Sequence, residues 1–243
     1  MSLHDVTKEF EKSLCDYTGS PFAVAVDNCS NALAMCMTFL GVENYNRKYL
    51  MEITIPSNTY PSVPAEIILA GARVRFDTDH EALRWPDNQE MEYLKKYFTD
   101  NRIDLQRLKT TRYLTGEYQL APLPIWDSAL RFTADMYRPG QFQCLSFTGQ
   151  WKIMKLLKAG AILTDNKDAY EWFKLFRFSG RGECSYHADN FKALGKNYYL
   201  HPIFSTIGLQ MIQGFYNLNG SRKSNNDLSL PYPDLSLYDI YKS

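Results

Sequence analysis

Between residues 22 and 76, short apolar runs alternate with stretches of helical length at a regular pitch. FAVAV (22–26) has the length and composition of a strand. SNALAMCMTFLGV (30–42) has helical length and apolar spacing, and it meets a glycine at Gly41. MEITIP (51–56) reads as a second strand, VPAEIILAG (63–71) as a helix closed by Gly71, and ARVRF (72–76) as a third strand. Strands separated by helices cannot be joined by tight hairpins, so they return parallel to one another with the helices laid over the sheet. The alternation therefore predicts an α/β chain, with a parallel sheet and helices on its faces.

Beyond residue 76 the pattern weakens. The stretch from about 77 to 118 is polar and reads as one helix plus loops. LAPLPIW (120–126) reads as a buried strand running straight into Asp127, and QCLSF (143–147) and GAILT (160–164) as two further strands. A helix is expected over KDAYEWFKLFRF (167–178) and another over IFSTIGLQMIQGFYNL (203–218), with an irregular segment after Gly180. The last residues, from Ser221, are rich in Ser, Asn, Asp and Pro and read as loop or as an arm lying on a partner.

The 243 residues suffice for one sizeable domain, and 45% hydrophobic with 14% aromatic residues supply a core. Lys plus Arg equals Asp plus Glu, 27 against 27, so no net field draws the chain to nucleic acid or to an anionic membrane. No apolar run approaches the roughly 20 residues that span a bilayer. The N-terminal MSLHDVTKEFEKSL is charged and amphipathic and lacks the apolar centre of a secretion signal. Cysteines at 15, 29, 36, 144 and 184 form an odd, scattered set without a CxxC pair, which argues for reduced thiols and against a metal site. The expectation is a soluble, cytoplasmic protein.

In an open α/β sheet, ligands sit outside the carboxyl ends of the strands, so the residues there carry the chemistry. FAVAV is followed by DNCSN and a helix start. Asn28 or Ser30 can cap that helix, and the same N-terminus can hold a phosphate. MEITIP is followed by SNTYPS, which brings Tyr60 to the same edge as a rim aromatic. Asp127 follows four apolar residues, where a bare carboxylate would cost about several kcal/mol unless hydrogen-bonded or paired. QCLSF is followed by three lysines at 152, 155 and 158, with no acid among them. A solvated basic loop accounts for these lysines; so does a covalent anchor for an aldehyde cofactor. Taken together, a phosphate-binding helix start, an aromatic face, a buried acid and a lysine on one edge are the set that holds pyridoxal 5'-phosphate (PLP).

With these residues in view, the chain resembles the DegT/DnrJ/EryC1/StrS family of PLP-dependent sugar aminotransferases over residues 9 to about 215. FEKSLCDYTGSPFAVAVDNCSNALAM is similar to the family's opening segment, with Asn28 to Leu33 in its "NGTAAL"-like turn. ITIPSNTYPSVPAEIILAGARVRFDTD, PIWDSALRF, CLSFTGQWKIMKLLKAGAILTD, FRFSGRGECSYH and LGKNYYLHPIFSTIGLQMI follow in the family's order. The resemblance implies a type I aminotransferase fold: three-layer αβα with a mostly parallel central sheet. It further implies a PLP-binding large domain over 1–218 and a tail or small-domain remnant over 219–243. Asn28, Ser30, Asn31 and Ser146 would surround the phosphate, and Tyr60 would stack on the pyridine ring. Asp127 would hold the pyridine nitrogen protonated. The family's Schiff-base lysine lies seven residues before the first glycine of a Gly-Gly pair. Ala159 stands at that glycine here, which assigns Lys152 and requires a one-residue insertion between Thr148 and Trp151.

Asn197 matches an asparagine that reaches the phosphate of the neighbouring subunit, implying a homodimer with the active site at its interface. Arg181 matches a position near the substrate mouth. The reaction implied takes an amino group from glutamate to a nucleotide-linked keto-sugar of the 4-keto-6-deoxyhexose type. The alternative is a PLP-binding or partner-binding protein without turnover, because the chain departs from the family at several points. The small C-terminal domain is nearly absent, Leu130 replaces Gln or His, Cys29 and Ala159 replace glycines, and Tyr199 stands where Arg is usual. Lys152 argues against the family's dehydratases, which carry His there.

Overall fold

The computed structural model describes residues 3–42, 51–77, 116–149, 152–217 and 232–242. In chain order the elements are α1 (Leu3–Thr18), β1 (Phe22–Val26), α2 (Cys29–Phe39), β2 (Glu52–Pro56), α3 (Ser62–Leu69) and β3 (Arg73–Asp77). After these come β4 (Tyr118–Gln119), β5 (Ile125–Asp127), β6 (Phe142–Ser146), β7 (Gly160–Thr164), α4 (Lys167–Phe176) and α5 (Pro202–Asn217). The helix expected within 77–118 falls almost wholly outside the described residues.

One sheet has the order β1-β7-β6-β5-β4, and β2 and β3 form a separate parallel pair. Thr54 and Ala121 form an antiparallel bridge between the two, each N–H donating to the other's carbonyl at 2.8 and 3.1 Å. β5 and β6 are parallel, whereas β7 is antiparallel to both its neighbours and β4 is antiparallel to β5. The strand directions that follow put β1, β2, β3, β5 and β6 one way, with β4 and β7 against them. The sheet is therefore mixed, and both reversals have local causes. Among the described residues between β6 and β7 there is no helix to carry a crossover, and β7 comes back beside β6.

LAPLPIW, expected as one strand, instead turns on itself. Pro122 and Pro124 offer no N–H to a ladder, and the run folds so that Tyr118 faces Asp127 and Gln119 faces Trp126.

The strands bury alternate residues on opposite faces. Val24, Val26, Ile53, Ile55, Ile125, Cys144 and Ile162 face a core closed by α2, α3 and Phe173 of α4. Ala23, Ala25, Leu145, Ala161 and Leu163 face a second core with Phe10 and Leu14 of α1 and Ile212 of α5. Helices thus cover both faces, giving the three-layer αβα arrangement. All five cysteines are free, and Cys36 and Cys144 lie buried with their sulfurs 3.7 Å apart.

Arg177 at the end of α4 is fully buried and donates to Glu11, to the Ala25 carbonyl and, at 2.9 Å, to Glu183. Residues 232–242, expected as a loop or an arm on a partner, pack on their own chain. The Leu235 N–H donates to the Ser57 carbonyl at 2.9 Å, and the Leu235 side chain is buried. No helix among the described residues is long and apolar enough to cross a membrane.

Candidate active site

The five strands that run together bring their carboxyl ends to one edge, where β7 begins. Gly160, the first residue of β7, touches the start of α2 so closely that a Cβ would lie 2.7 Å from the Asn28 carbonyl carbon and 2.8 Å from Cys29 N. Beside this contact opens a cavity of about 630 Å³, within the size range of small-molecule sites. Asn28, Ser30, Asn31, Tyr60, Asp127, Ser146 and Lys152, all singled out from sequence, line it.

Asp127 ends β5 at 2% exposure. Its Oδ2 accepts from the Tyr118 hydroxyl at 2.7 Å, and its Oδ1 accepts from the Ala129 N–H at 2.9 Å. Because Tyr118 gives its proton to Asp127, the hydrogen bond between Thr59 Oγ1 and the Tyr118 oxygen has Thr59 as donor. The relay Thr59–Tyr118–Asp127 fixes the carboxylate and satisfies it without a cation. The fold-back at Pro122 supplies Tyr118, which sequence reading did not single out.

Lys152 separates from the other two lysines. It is 4% exposed, whereas Lys155 and Lys158 are exposed. The reason is local: Met154 and Leu156 sink into the core under α1 and α5, and the Phe147 backbone is tied to Leu156 and Ala159 at 2.9 Å each. That anchoring turns Lys152 inward and Lys155 outward. The Lys152 ammonium donates to the Ala129 and Ser146 carbonyls at 2.6 and 2.9 Å, and Lys158 pairs with Asp27 at 3.3 Å.

The start of α2 is a built cap. Asn28 Oδ1 accepts the Asn31 N–H at 2.8 Å, and the Asn31 side-chain amide donates to Asp27 at 2.6 Å. Ser30 and Ser62 hydroxyls bond at 2.6 Å, joining the first turns of α2 and α3. Tyr60, 53% exposed, stands at the mouth. Burial and the Asp127 charge hold the Cys29 thiol well above its ordinary pKa against the pull of Lys152, so it faces the cavity as a neutral group. Burial also raises the Glu66 carboxyl on the cavity wall, opposed by Lys196.

Asn197 and Arg181 do not line this cavity. Asn197 forms a backbone bridge with Phe178, and Arg181 meets Asp189 at 3.4 Å and stacks over Phe178 and Tyr186. Thr59, Tyr118, Glu66 and Tyr232 join the site's surroundings without a sequence signal, because each depends on a contact between distant segments. Among the described residues no cluster of His, Cys, Asp and Glu could hold a metal ion. The donor set fits a phosphorylated pyridine aldehyde: a fixed carboxylate, a buried primary amine, a ring, and a helix start flanked by hydroxyls.

Residues 2–90 match the model of the DegT/DnrJ/EryC1/StrS aminotransferase family, a match that ends before Asp127 and Lys152. A UDP-4-amino-4,6-dideoxy-N-acetyl-beta-L-altrosamine transaminase of Campylobacter jejuni is 24% identical over 221 residues, covering 84% of this chain and 56% of the relative. Helicobacter pylori PseC, an aminotransferase involved in the biosynthesis of pseudoaminic acid, superposes with a TM-score of 0.63 at 14% identity, over 98% of this chain and 79% of that one. The sugar aminotransferase CalS13 of Micromonospora echinospora gives 0.61 at 20% identity, over 88% and 62%. These structures share the fold. The chain spans about half the length of the curated relatives it matches, 56% in each of two.

Proposed function

We propose, for a chain related to the DegT/DnrJ/EryC1/StrS aminotransferase family, that it binds PLP and moves an amino group from glutamate to a nucleotide-linked keto-sugar of the 4-keto-6-deoxyhexose type. The observation that carries this reading is the meeting of buried Lys152 with Asp127 in one cavity beside the start of α2. Bound there, the cofactor would supply an aldehyde to carry the amino group and a protonated ring to accept the electron pair released at the substrate carbon.

The remaining work falls to the chain. Lys152 Nζ would anchor the aldehyde and, once released, carry the proton to and from the substrate carbon. That role needs the amine free of its proton while it acts. Asp127, held by Tyr118 and Ala129, would hold the proton of the ring nitrogen. Tyr60 would cover the ring, while Asn28, Ser30, Asn31 and Ser146 with the α2 N-terminus would take the phosphate. Asn197 lies away from its own cavity and would reach the partner subunit's site in a homodimer; a substrate role for Arg181 needs the same assembly. We assign 1–218 as the PLP-binding domain and 219–243 as its tail, and five free cysteines suit the cytoplasm.

A second reading, a PLP binder without turnover, draws on Leu130, which lines the cavity at the position where the resemblance leads one to expect Gln or His. One titration separates the two. Protein mixed with PLP should gain a visible absorbance band, and glutamate should move that band to shorter wavelength as the amino group is taken up. A band indifferent to glutamate means a binder; no band at all removes the proposal.

A further inference from the structure

The C-terminal segment and the cavity share a residue that the reaction described above does not use. Tyr232 lines the same cavity as Asp127 and Lys152, although it lies in a tail whose sequence reads as loop. Its ring meets that of Tyr60 edge-on, with centroids 5.8 Å apart and planes at 73°. The tail is seated on the loop after β2 by three contacts. Asn58 Nδ2 donates to the Tyr232 carbonyl at 2.9 Å, the Leu235 N–H donates to the Ser57 carbonyl at 2.9 Å, and the Leu235 side chain is 3% exposed. Asp234 then caps a short turn by accepting from the Ser236 N–H and hydroxyl at 3.0 and 2.6 Å.

The loop between β2 and α3 is thus held from both sides. The tail grips Ser57 and Asn58, while Tyr118 binds Thr59 and through it reaches Asp127. Tyr60 comes next, half exposed at the mouth, and the ring contact with Tyr232 is what braces it. An exposed tyrosine on a loop samples several rotamers; a ring packed against its edge narrows them, which lowers the ordering cost of any ligand that stacks on it.

We propose that Tyr232 is a positioning residue of this site, delivered by the C-terminal segment to hold Tyr60 against the ring of a bound pyridoxal phosphate. The inference rests on the PLP-binding reading given above. By linkage, if the docked tail strengthens the cofactor site, the cofactor strengthens docking of the tail by the same factor.

The test uses the full-length protein and two readouts. Equilibrium dialysis with pyridoxal phosphate should give Tyr232→Ala a dissociation constant higher by about three- to tenfold, the range an edge-to-face aromatic pair supplies, while Tyr232→Phe stays near wild type. Independently, hydrogen exchange at the Leu235 amide in the wild-type protein should slow when pyridoxal phosphate is added. Wild-type protein that binds the cofactor while Tyr232→Ala binds equally well, with no change in Leu235 exchange, overturns the role of Tyr232 and leaves the PLP site standing. Wild-type protein that does not bind overturns both. Should Tyr232→Ala fail to fold, the exchange measurement on the wild type decides alone.

Discussion

At the scale of single residues, the site is organised around the buried carboxyl group of Asp127. Asp127 accepts from the Tyr118 hydroxyl, the Ala129 N–H and, at 4.0 Å, the Cys29 thiol, and Tyr118 is itself supplied by Thr59. Removing the Tyr118 hydroxyl leaves a buried carboxylate oxygen without its partner. Tyr118→Phe is therefore expected to lower stability by about 1–3 kcal/mol, measured by urea unfolding, and Thr59→Val by less because it acts one bond away. Unchanged stability in Tyr118→Phe would mean that water replaces the phenol. The placing of Asp127 and of the lysine segment at strand ends was legible in the sequence because each interrupts or adjoins apolar runs, where a charge needs a reason. On the residues alone the three lysines were alike; the resemblance pointed to Lys152, and the burial of Met154 and Leu156 is what turns it inward. Tyr118 and Thr59 left no trace, since a hydroxyl pair 59 positions apart has no local signature.

Two elements carry the frame on which those residues stand. β7 begins against α2 with no room for a side chain at Gly160: the nearest atoms to a Cβ are backbone atoms of Asn28, Cys29 and Leu145, at 2.7, 2.8 and 2.8 Å. Gly160→Ala must push strand and helix start apart, with an expected loss of about 1–3 kcal/mol and a weakened phosphate site, read by urea unfolding and phosphate competition. Elsewhere, α1 and α4 are tied by Arg177, which pairs with Glu11 on α1 and with Glu183 beyond α4. Burial works against the Glu183 charge, but Arg177 and Lys174 outweigh it and hold the carboxyl below its ordinary 4.5. A carboxyl whose folded pKa lies below its unfolded value contributes stability above the latter and loses it as pH falls through the former. Stability should accordingly fall in acid below about pH 4.5, and Arg177→Met should flatten that fall while costing about 3–5 kcal/mol at neutral pH. A variant with an unchanged acid limb would detach the network from pH. The strand and helix pattern from residue 22 to 77 was legible from periodicity alone. The turn in LAPLPIW was not, because an apolar composition outvoted the two prolines that decide it.

For the whole molecule, the fold is shared with solved aminotransferase structures, while the chain covers 56% of the length of its curated relatives. The reversal of β4 and β7 is absent from the sequence pattern because strand direction is set by what lies between strands, not by their composition. If Asn197 serves a partner's phosphate site, two defective chains should repair each other. Mixing Lys152→Ala with Asn197→Ala subunits should give a hybrid dimer with one complete site, and tight PLP binding should rise above that of either parent. No gain on mixing, in a verified dimer, would confine each site to one subunit.

The most direct trial is chemical. The wild-type protein is incubated with pyridoxal phosphate, reduced with borohydride, digested, and the modified residue identified by mass spectrometry. The label is predicted on Lys152 alone; a label on Lys155 or Lys158, or none on the chain, contradicts the account.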